Sequence, residues 1–380
     1  MVAWETIIVL VLVASFYLII LILKTLFREK LSKAGINLEG LAIVLKTTKL
    51  NSWIEKEGKR HFSLWRLIGD ISIVAGFLLA AFGVYTLHLN LFNFFTQPKK
   101  AGAVVPVIPG VTVGLDILPY FMIALVLILI PHELFHGLVA VAHKIDIKSA
   151  GIFLFLLFPG GFIEPDEERL KRCKLRHQLR VYSAGSLANL LTFIILYLLF
   201  SLLLSFSFIS SIGVYVSEVL PGYPAENVLR EGDIIVKVNG TFVKTLTEFI
   251  EIMNKASVGN RITLGIIRDS KEITVNLTTV TSPSGKAVIG IKTYEKIEPY
   301  FIYNAIWLSM IFSISVAVIN ILPIYPLDGG LIAMALFNQV FKNEKTVKKA
   351  TFTLSLYFAA VLILNMLLSL TRWGFKVPWP

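Results

Sequence analysis

Long apolar runs dominate the pattern of hydrophobic and polar positions in this chain. A helix needs about 20 predominantly apolar residues to cross the hydrocarbon core of a bilayer. The first run is followed rather than preceded by basic residues and has no small-residue cleavage site, so we interpret it as a span and not as a signal peptide. The pattern predicts a multi-pass α-helical membrane protein with about six transmembrane helices. The six runs are Thr6–Leu23, Leu67–Leu87, Tyr120–Ala142, Tyr182–Phe206, Ile302–Leu322 and Thr351–Leu370.

Two further stretches are apolar, but proline and glycine interrupt them. Within Ala101–Leu118 these residues would break a helix repeatedly. Gly151–Ile163 is rich in Phe and Leu but contains Pro159-Gly160-Gly161 near its end. Non-helical backbone at membrane depth is tolerated only against protein or a water-filled cavity. We therefore predict a short hairpin or a re-entrant segment at each of these two stretches, beside the functional site.

The stretch from Gly213 to about Lys292, between the fourth and fifth runs, alternates apolar and polar residues. Such alternation predicts half-buried strands, whereas Leu246–Ala256 has helical spacing. We therefore predict an inserted α+β domain of roughly 80 residues between two membrane spans. The strands are predicted at Val214–Val216, Ile234–Val238, Arg261–Ile267 and Glu272–Leu277.

Composition agrees with a membrane protein, since 56% of the 380 residues are hydrophobic and only 16% are charged. The net charge of +11 raises the question of nucleic-acid binding. No module for that function is recognisable, so we exclude nucleic acid as a partner. The Lys and Arg residues instead concentrate in three connections. Ten lie between Lys24 and Arg66, eight between Lys144 and Arg180, and four between Lys342 and Lys349.

These three connections fall on one side of the membrane if the six runs alternate in direction. By the positive-inside rule that side is cytoplasmic, so both termini and the inserted domain are expected to be extracytoplasmic. The opposite side has only four basic residues outside the inserted domain, which are Lys99, Lys100, Arg372 and Lys376. We therefore predict a multi-pass protein of the cell membrane with cytoplasmic basic loops.

The chain has one cysteine, Cys173, in a basic connection. A disulfide framework and a cysteine-based zinc site are therefore excluded within one chain. A metal site would have to use histidine and carboxylate ligands. The lysine-rich loops and the single cysteine are compatible with a prokaryotic source.

His132-Glu133-Leu134-Phe135-His136 reads H-E-x-x-H and lies inside the third apolar run. On a helix the two imidazoles project from the same face, where they can hold one divalent metal ion. Glu133 can then act as the general base for a water that such an ion activates. Ionisable residues at membrane depth are rare and usually functional, so this motif predicts a metal site rather than two packed histidines.

Two histidines leave a tetrahedral ion short of a third protein ligand. The best candidate is Asp328, which closes the fifth predicted span within Asn320–Gly330. Flanking proline and glycine would let the helix break and turn the carboxylate inward. The alternative is that Asp328 only caps a helix end. Weaker competing ligands are Asp70, Asp116, Glu164 and Asp166.

The run Gly222–Gly240 in the inserted domain resembles the PDZ family, in the form found in bacterial-type membrane and periplasmic proteases. PDZ domains commonly capture an extended peptide by strand addition. The resemblance implies that backbone N–H groups near the start of the first strand, around Ile212–Val214, receive a terminal carboxylate. Size filtering of substrates is the alternative role for such a domain.

Three motifs together resemble the site-2 protease family of intramembrane zinc metalloproteases, peptidase family M50. They are H-E-L-F-H, the Asn-x-x-Pro-x-x-Pro-Leu-Asp-Gly-Gly run that ends at Gly330, and Ser183–Leu190. The third motif departs from the family at Ser186, where proline is usual. Together with the PDZ-like domain, the matches cover about half of the chain.

The resemblance implies a role for each residue that matches a family motif. His132, His136 and Asp328 would bind one zinc ion per chain. Glu133 would serve as general base and acid. Asn189 would lie near the metal and position the scissile peptide or stabilise its oxyanion. These implied roles agree with zinc chemistry, in which the ion polarises a carbonyl and activates water.

We therefore expect an intramembrane zinc metalloprotease that hydrolyses peptide bonds within transmembrane segments. The expected partners are the lipid bilayer and transmembrane protein substrates, including substrates already cleaved outside the membrane. A membrane metal-ion transporter that uses the His/Asp site is the alternative function. Glu133 separates the two, because a transporter has no need of a general base.

The same features predict the domain boundaries. Residues 1–100 form a two-helix region, 101–210 the first part of the catalytic core, and 211–295 the PDZ-like domain. Residues 296–335 carry the third catalytic helix, and 336–380 form a loop and the last span.

Overall fold

The computed structural model of the chain describes residues 4–27, 36–39, 42–155, 158–283 and 285–374. The described residues form two compact units. The membrane unit comprises the chain up to Tyr197 and from Ala305 onward, and the inserted unit comprises Leu198–Asn304. Four basic residues of the charge argument lie outside the described residues, namely Arg28, Lys30, Lys33 and Lys376.

Six helices among the described residues are long and apolar enough to cross a membrane, which confirms the predicted number of spans. Many of their apolar side chains are exposed in the structure, as expected for helices surrounded by lipid. The six are α1 (Trp4–Leu26), α3 (Phe62–Thr96), α4 (Leu118–Ala142), α6 (Leu175–Ser205), α8 (Tyr300–Asn320) and α10 (Glu344–Trp373). Three shorter helices accompany them: α2 (Thr48–Arg60), α5 (Glu167–Arg172) and α9 (Asp328–Val340).

Asp328 does not close the fifth span, so that expectation is wrong. Helix α8 ends at Asn320, and Asp328 is the first residue of the separate helix α9. The prolines at positions 323 and 326 explain the break, because proline donates no backbone hydrogen bond and disfavours helix at the preceding residue. A carboxylate in the first turn of α9 is also favoured by the helix dipole.

Gly329 and Gly330 let the turn between α8 and α9 pack tightly against the start of α9. A Cβ atom at Gly329 would overlap the carbonyl oxygen of Ile321, and one at Gly330 would overlap the backbone of Tyr325. Larger residues would push the turn away from α9. The Leu-Asp-Gly-Gly run therefore fixes the position of the Asp328 carboxylate as well as supplying it.

A four-stranded antiparallel sheet lies beside α4 and contains β1 (Ile36–Glu39), β2 (Ala42–Lys46), β3 (Ile147–Phe155) and β4 (Phe158–Pro165), in that order. Strands β3 and β4 form a hairpin, which confirms the prediction for Gly151–Ile163; its residues 156–157 lie outside the described residues.

Strands β1 and β2 were not predicted from the sequence. Strand β2 pairs with β3 from Ala42 opposite Phe155 to Lys46 opposite Gly151. A Cβ atom at Gly151 would overlap the carbonyl oxygen of Leu45, so this close pairing requires glycine. The apolar run Ala42–Leu45 was the available signal, although it is very short for a strand prediction.

The other stretch interrupted by proline and glycine, Ala101–Leu118, contains no α-helix before its last residue, as these residues predicted. A bridge joins Pro109 to Val113. The Thr112 hydroxyl donates a 2.6 Å hydrogen bond to the carbonyl oxygen of Pro106. The backbone polar groups of this segment are thus partly satisfied by its own residues.

Helix α3 packs closely against other membrane helices through glycines that recur every seven residues. Cβ atoms at Gly69, Gly76 and Gly83 would lie 3.1 Å from Arg180, 3.0 Å from Ser183 and 2.7 Å from Val318, respectively. Small residues allow such close approach between membrane helices. Arg180 also pairs with Asp70 of α3, with 2.5 Å between Nη2 and Oδ2. These contacts fix α6 against α3.

The described residues between α6 and α8 form an antiparallel sheet and the helix α7, which confirms the predicted α+β architecture. The sheet order is β12-β5-β6-β8-β9, and the short β7 pairs with β6. Apolar side chains from β5, β6 and β8 form a fully buried core with the helix α7. The elements are β5 (Ser210–Val219), β6 (Ile234–Val238), β7 (Thr241–Phe242), α7 (Leu246–Lys255), β8 (Arg261–Arg268), β9 (Lys271–Thr278), β10 (Val280–Thr281), β11 (Ala287–Val288) and β12 (Ile291–Glu298).

Candidate metal centre

The two histidines of the H-E-x-x-H motif lie on one buried face of α4, as their spacing predicts. Pro131 precedes His132 inside the helix. The Nε2 atoms of His132 and His136 are 3.2 Å apart. Both side chains are buried, although imidazoles are costly to remove from water without partners. The two rings thus point their Nε2 atoms at a common position.

Asp328 brings a carboxylate to that position from the start of α9. Its Oδ2 atom lies 3.4 Å from Nε2 of His132 and 3.4 Å from Nε2 of His136. Oδ2 is buried and forms no hydrogen bond among the described residues. The two histidines and Asp328, which follows them by nearly 200 residues, therefore form a small triangle in the membrane unit.

The size of this triangle can be compared with that of a tetrahedral zinc site. Donor atoms 2.0–2.1 Å from a tetrahedral ion lie about 3.3–3.4 Å from one another. The observed separations of 3.2, 3.4 and 3.4 Å agree with this value. The buried carboxylate oxygen without a hydrogen-bond donor also fits a cation ligand. The residues present therefore fit one ion of this size.

Helix α6 supports both histidines with residues four apart, which share one helix face. The Nδ1 atom of His136 lies 2.7 Å from the carbonyl oxygen of Val181. The side-chain amide of Asn189 lies 3.0 Å from Nδ1 of His132. Between them, a Cβ atom at Gly185 would overlap the rings of both histidines. Gly185 thus allows α6 to approach the centre. Val181, one turn before Gly185, contacts His136, and Asn189, one turn after it, contacts His132.

Glu133 does not join the triangle. Its Oε2 atom accepts a hydrogen bond from the backbone N–H of Ile163 in β4, with 3.1 Å between the atoms. The side chain is only partly buried, unlike those of the two histidines. The hydrogen bond leaves carboxylate lone pairs free for a second partner. Glu133 is therefore a partly exposed carboxylate that links α4, which we call the metal helix, to strand β4 of the sheet.

Asn320, the last residue of α8, is a site residue to which the sequence argument assigned no role. Its Nδ2 atom lies 3.4 Å from Nε2 of His132, and its side chain is partly exposed. The signal was present in the sequence, because Asn320 begins the run that ends in Leu-Asp-Gly-Gly. The three-dimensional return of α8 to the metal helix was needed to reveal its contact.

The competing carboxylates have other partners or lie elsewhere. Asp70 pairs with Arg176 and Arg180, and Glu164 accepts a 2.6 Å hydrogen bond from Ser149. Asp166 caps α5, and the backbone N–H of Arg169 lowers the pKa of its carboxyl. Within the described parts of the chain, the group suited to a metal contains His132, His136 and Asp328 and none of the competitors, which also include Asp116.

A cluster of His143, His177 and Arg180 joins the end of the metal helix to α6. His143, directly after α4, lies 3.2 Å from Nη1 of Arg180 and stacks on the ring of His177. Burial, together with the neighbouring His177 and Arg180, lowers the pKa of His143 to about 4. His143 is therefore neutral near pH 7 and can accept a hydrogen bond from Arg180. Arg180 directly precedes Val181, whose carbonyl oxygen contacts His136. The contact between His143 and Arg180 therefore lies close to the support of His136.

Comparisons with known proteins agree with this geometry. A sequence model of Peptidase family M50 matches residues 120–364, well over half of the chain. An uncharacterised protein of Methanocaldococcus jannaschii is 32% identical over 318 residues, which are 80% of this chain and 80% of that protein. A membrane-bound transcription factor site-2 protease homolog of Arabidopsis thaliana is 28% identical over 237 residues, 60% of this chain and 46% of that protein.

One solved structure is similar to a smaller part of the chain. It is the PDZ domain of the SdrC-like protein from Listeria monocytogenes, with 29% identity and a TM-score of 0.21 over 22% of this chain and 87% of that chain.

The sequence matches do not favour the metal-transporter alternative. The chain belongs to peptidase family M50 and is an intramembrane metalloprotease that acts on membrane-protein substrates.

Proposed function

We propose that His132, His136 and Asp328 hold one zinc ion per chain, and that this ion serves peptide hydrolysis within transmembrane segments. The observation that carries the proposal is the triangle of donor atoms with edges of 3.2–3.4 Å. Imidazole nitrogen and carboxylate oxygen suit zinc, and three protein ligands leave a fourth position for water or substrate. When bound, zinc polarises the scissile carbonyl and lowers the pKa of water to about 7.

Glu133 is proposed as the general base and acid. Its carboxylate accepts a proton as the oxygen of water bonds to the carbonyl carbon. It then delivers that proton to the amide nitrogen as the peptide C–N bond breaks. The hydrogen bond from Ile163 supports this role, because it orients the carboxylate without supplying a competing positive charge.

Two amides beside the ligands, those of Asn189 and Asn320, are candidates to donate to the oxyanion that develops on the carbonyl. An amide donor adds no charge to a low-dielectric site and is worth a few kcal/mol in the transition state. Asn320 is partly exposed, whereas Asn189 is fully buried. The difference in access favours Asn320 for contact with the substrate.

The groove between α4 and the four-stranded sheet supports an unwound apolar segment as substrate. A helix hides its peptide bonds in its own hydrogen bonds, so a transmembrane substrate must unwind locally before attack. An apolar groove of about 420 Å³ lies between α4 and the sheet, and its lining includes Ile130, Ile152 and Gly161. Among the strands that the structure describes, β4 pairs with β3 alone. An extended substrate can therefore pair with β4 while its apolar side chains enter the groove.

For the inserted unit we propose capture of a peptide C-terminus, but at a different position from Ile212–Val214. Strand addition needs a free sheet edge, and β5, which contains those residues, pairs with both β12 and β6. Strand β12 has one neighbour among the described strands. A groove of about 360 Å³ lies between residues 286–291, at the start of β12, and the apolar face of α7.

The turn at Gly290 suits a carboxylate. Gly290 has a φ of +82°, and a Cβ atom there would overlap the ring of Tyr223. The backbone N–H groups of Ile289 and Gly290 donate to no acceptor found among the described residues. Such adjacent N–H groups in a tight turn form an anion-binding concavity. We propose that the domain, at about residues 211–295, binds free C-termini of extracytoplasmic chains, including substrates already cleaved outside.

We also propose that the inserted unit and both termini are extracytoplasmic. The basis is the concentration of Lys and Arg in three connections that share one side if the six helices alternate. In this orientation α4 runs inward, and His132 and His136 lie in its second half. The metal centre is then nearer the cytoplasmic face, where water has a shorter path to it.

Replacement of Glu133 by glutamine is expected to separate proteolysis from metal binding. Glu133→Gln should lower the cleavage rate of a model transmembrane substrate by about 10²–10⁴-fold, the usual contribution of general acid–base catalysis. Zinc content, measured by elemental analysis of purified protein, should stay the same, because Glu133 is not in the ligand triangle. Glu164→Gln is the matched control and should cleave normally. Full activity of Glu133→Gln would contradict the proposed base.

Gly185→Ala is expected to disturb the metal centre without adding any charge. The new methyl group would overlap both histidine rings, so zinc affinity should fall by roughly 10–100-fold, the range found when the surroundings of metal ligands are altered. Zinc titration against a competing chelator measures the change. Gly102→Ala is the control, since its Cβ atom has only Asn90 within 4 Å, at 3.8 Å. Equal affinities of the two variants would argue against the ligand set.

The peptide groove is tested with an apolar peptide that carries either a free C-terminal carboxylate or an amide. The free acid should bind the full-length protein about 10–100-fold more tightly, since hydrogen bonds to a charged group contribute about 1.5–3 kcal/mol. Fluorescence anisotropy measures both affinities. Gly290→Ala should remove the preference, whereas Gly259→Ala, with the same φ of +82° in an open turn, should keep it. No preference in the unaltered protein would exclude carboxylate capture.

Membrane orientation is tested with the single cysteine. In intact cells a membrane-impermeant maleimide should not label Cys173, whereas it should label Ser270→Cys in a Cys173→Ser background. Ser270 is exposed in a turn of the inserted unit. Permeabilised cells show that each thiol is reactive. Labelling of Cys173 alone in intact cells would reverse the proposed orientation.

A further inference from the structure

The two candidate metal histidines differ in the group that contacts their second ring nitrogen. A neutral imidazole that ligates through Nε2 must have its proton on Nδ1, so the partner of Nδ1 must be a hydrogen-bond acceptor. For His136 this condition is met, because the carbonyl oxygen of Val181 lies 2.7 Å from Nδ1. For His132 the partner is the side-chain amide of Asn189, which offers both a donor and an acceptor.

The donor end of this amide does not satisfy the site. With Nδ2 of Asn189 at 3.0 Å from Nδ1 of His132, the ring proton would have to lie on Nε2, which faces the ligand triangle. Oδ1 of Asn189 would also be buried without a hydrogen-bond donor. A rotation of the amide by 180° removes both conflicts, since Oδ1 then accepts from Nδ1–H and Nε2 keeps its lone pair for the metal.

The burial and the position of Asn189 agree with a contact to His132 rather than to substrate. Its side chain is fully buried, whereas a group that touches an incoming peptide needs access to the cleft. Val181, Gly185 and Asn189 lie four residues apart on α6, opposite His136 and His132 on α4. Val181 supports the later histidine and Asn189 the earlier one, as expected for two antiparallel helices in contact.

We propose that Asn189 is a positioning residue that accepts a hydrogen bond from His132 Nδ1–H, and that it is not the donor to the substrate oxyanion. Its role is to hold the tautomer and the ring orientation that present Nε2 to the metal. The proposal rests on the proposed function, in which His132 is a ligand. It predicts that a carboxylate at position 189 can replace the amide, because the interaction needs only an acceptor.

The test compares Asn189→Asp with Asn189→Leu in the full-length protein. Zinc affinity should fall by about 10–100-fold in the leucine variant, which has no acceptor, and should equal or exceed the original value in the aspartate variant. Proteolysis by Asn189→Asp at saturating zinc should stay within about tenfold of the unaltered protein. The visible absorption of the cobalt(II)-substituted protein should be kept by Asn189→Asp and changed by Asn189→Leu.

An oxyanion donor would give the opposite result. Zinc affinity and the cobalt spectrum would be unchanged in Asn189→Leu while cleavage fell by about 10²–10³-fold. Asn189→Asp would be equally inactive, because a carboxylate repels an oxyanion. If the leucine variant does not fold, the aspartate variant alone decides, since only the positioning role allows it to retain proteolysis.

Two controls separate the failure of this inference from the failure of the metal site. Asn365→Leu removes another fully buried asparagine, which joins α10 to Asn90 of α3, and should lower thermal stability without changing zinc affinity. His132→Ala should abolish tight zinc binding. Retained binding in His132→Ala would overturn the ligand set and this inference with it. Loss in His132→Ala but not in Asn189→Leu would overturn this inference alone.

Discussion

The structure depends on the burial of two imidazoles and a carboxylate at one point among membrane helices. Each group is costly to remove from water unless it has partners, and the surrounding lipid offers none. The donor atoms of the three groups face one another in a triangle with edges of 3.2–3.4 Å, which fits a single tetrahedral cation. Such a triangle forms only if α4, which carries both histidines, and α9, which begins at Asp328, approach to within side-chain reach. This requirement explains most of the unusual residues nearby.

The close approach of these helices depends on glycines, which have no side chain beyond a hydrogen atom. Gly185 lets α6 reach both histidines, and Gly329 and Gly330 let the turn after α8 pack onto α9. The glycines of α3 hold α6 in turn, together with the Asp70–Arg180 pair. Because apolar helices gain nothing from one another by leaving lipid, packing and hydrogen bonds must supply the attraction. The contacts between the helices therefore determine where the three candidate ligands lie.

Much of this arrangement could be predicted from sequence, because its signals are local. The six spans follow from apolar length, and His132, Glu133 and His136 follow from helical spacing. Alternation predicted β5, β6, β8 and β9 of the inserted unit but not its edge strand β12, and Ile234–Val238 was predicted with the observed bounds. Asp328 was chosen because few carboxylates occur near membrane spans, and the structure brings it to the histidines. These features need no knowledge of long-range contacts.

What could not be predicted depends on pairing between distant segments. Strand β2 is too short to identify alone and becomes a strand only because β3, about 100 residues later, offers an edge. The contact of Asn320 with His132 needs the return of α8 to α4. The break after Asn320 was expected at Asp328 instead, because local sequence cannot tell whether a proline pair ends a helix or bends it. The free edge of the inserted sheet could not be predicted either. Strand β12, the last strand of the unit in sequence, pairs with β5 and becomes that edge.

The four-stranded sheet shows how such distant pairing reaches the chemistry. Strand β4 donates the Ile163 N–H to Glu133, and β4 is held by β3, which is held in turn by β2. Helix α2, directly after β2, also packs against the metal helix, where a Cβ atom at Gly58 would lie 2.7 Å from Val141. The family match begins at residue 120, so β2 and α2 precede it. Residues 42–60 therefore support both the proposed base and the helix that carries the histidines, although they contain none of the site residues. The orientation of Glu133 is a property of the whole sheet, and not of the H-E-x-x-H motif alone.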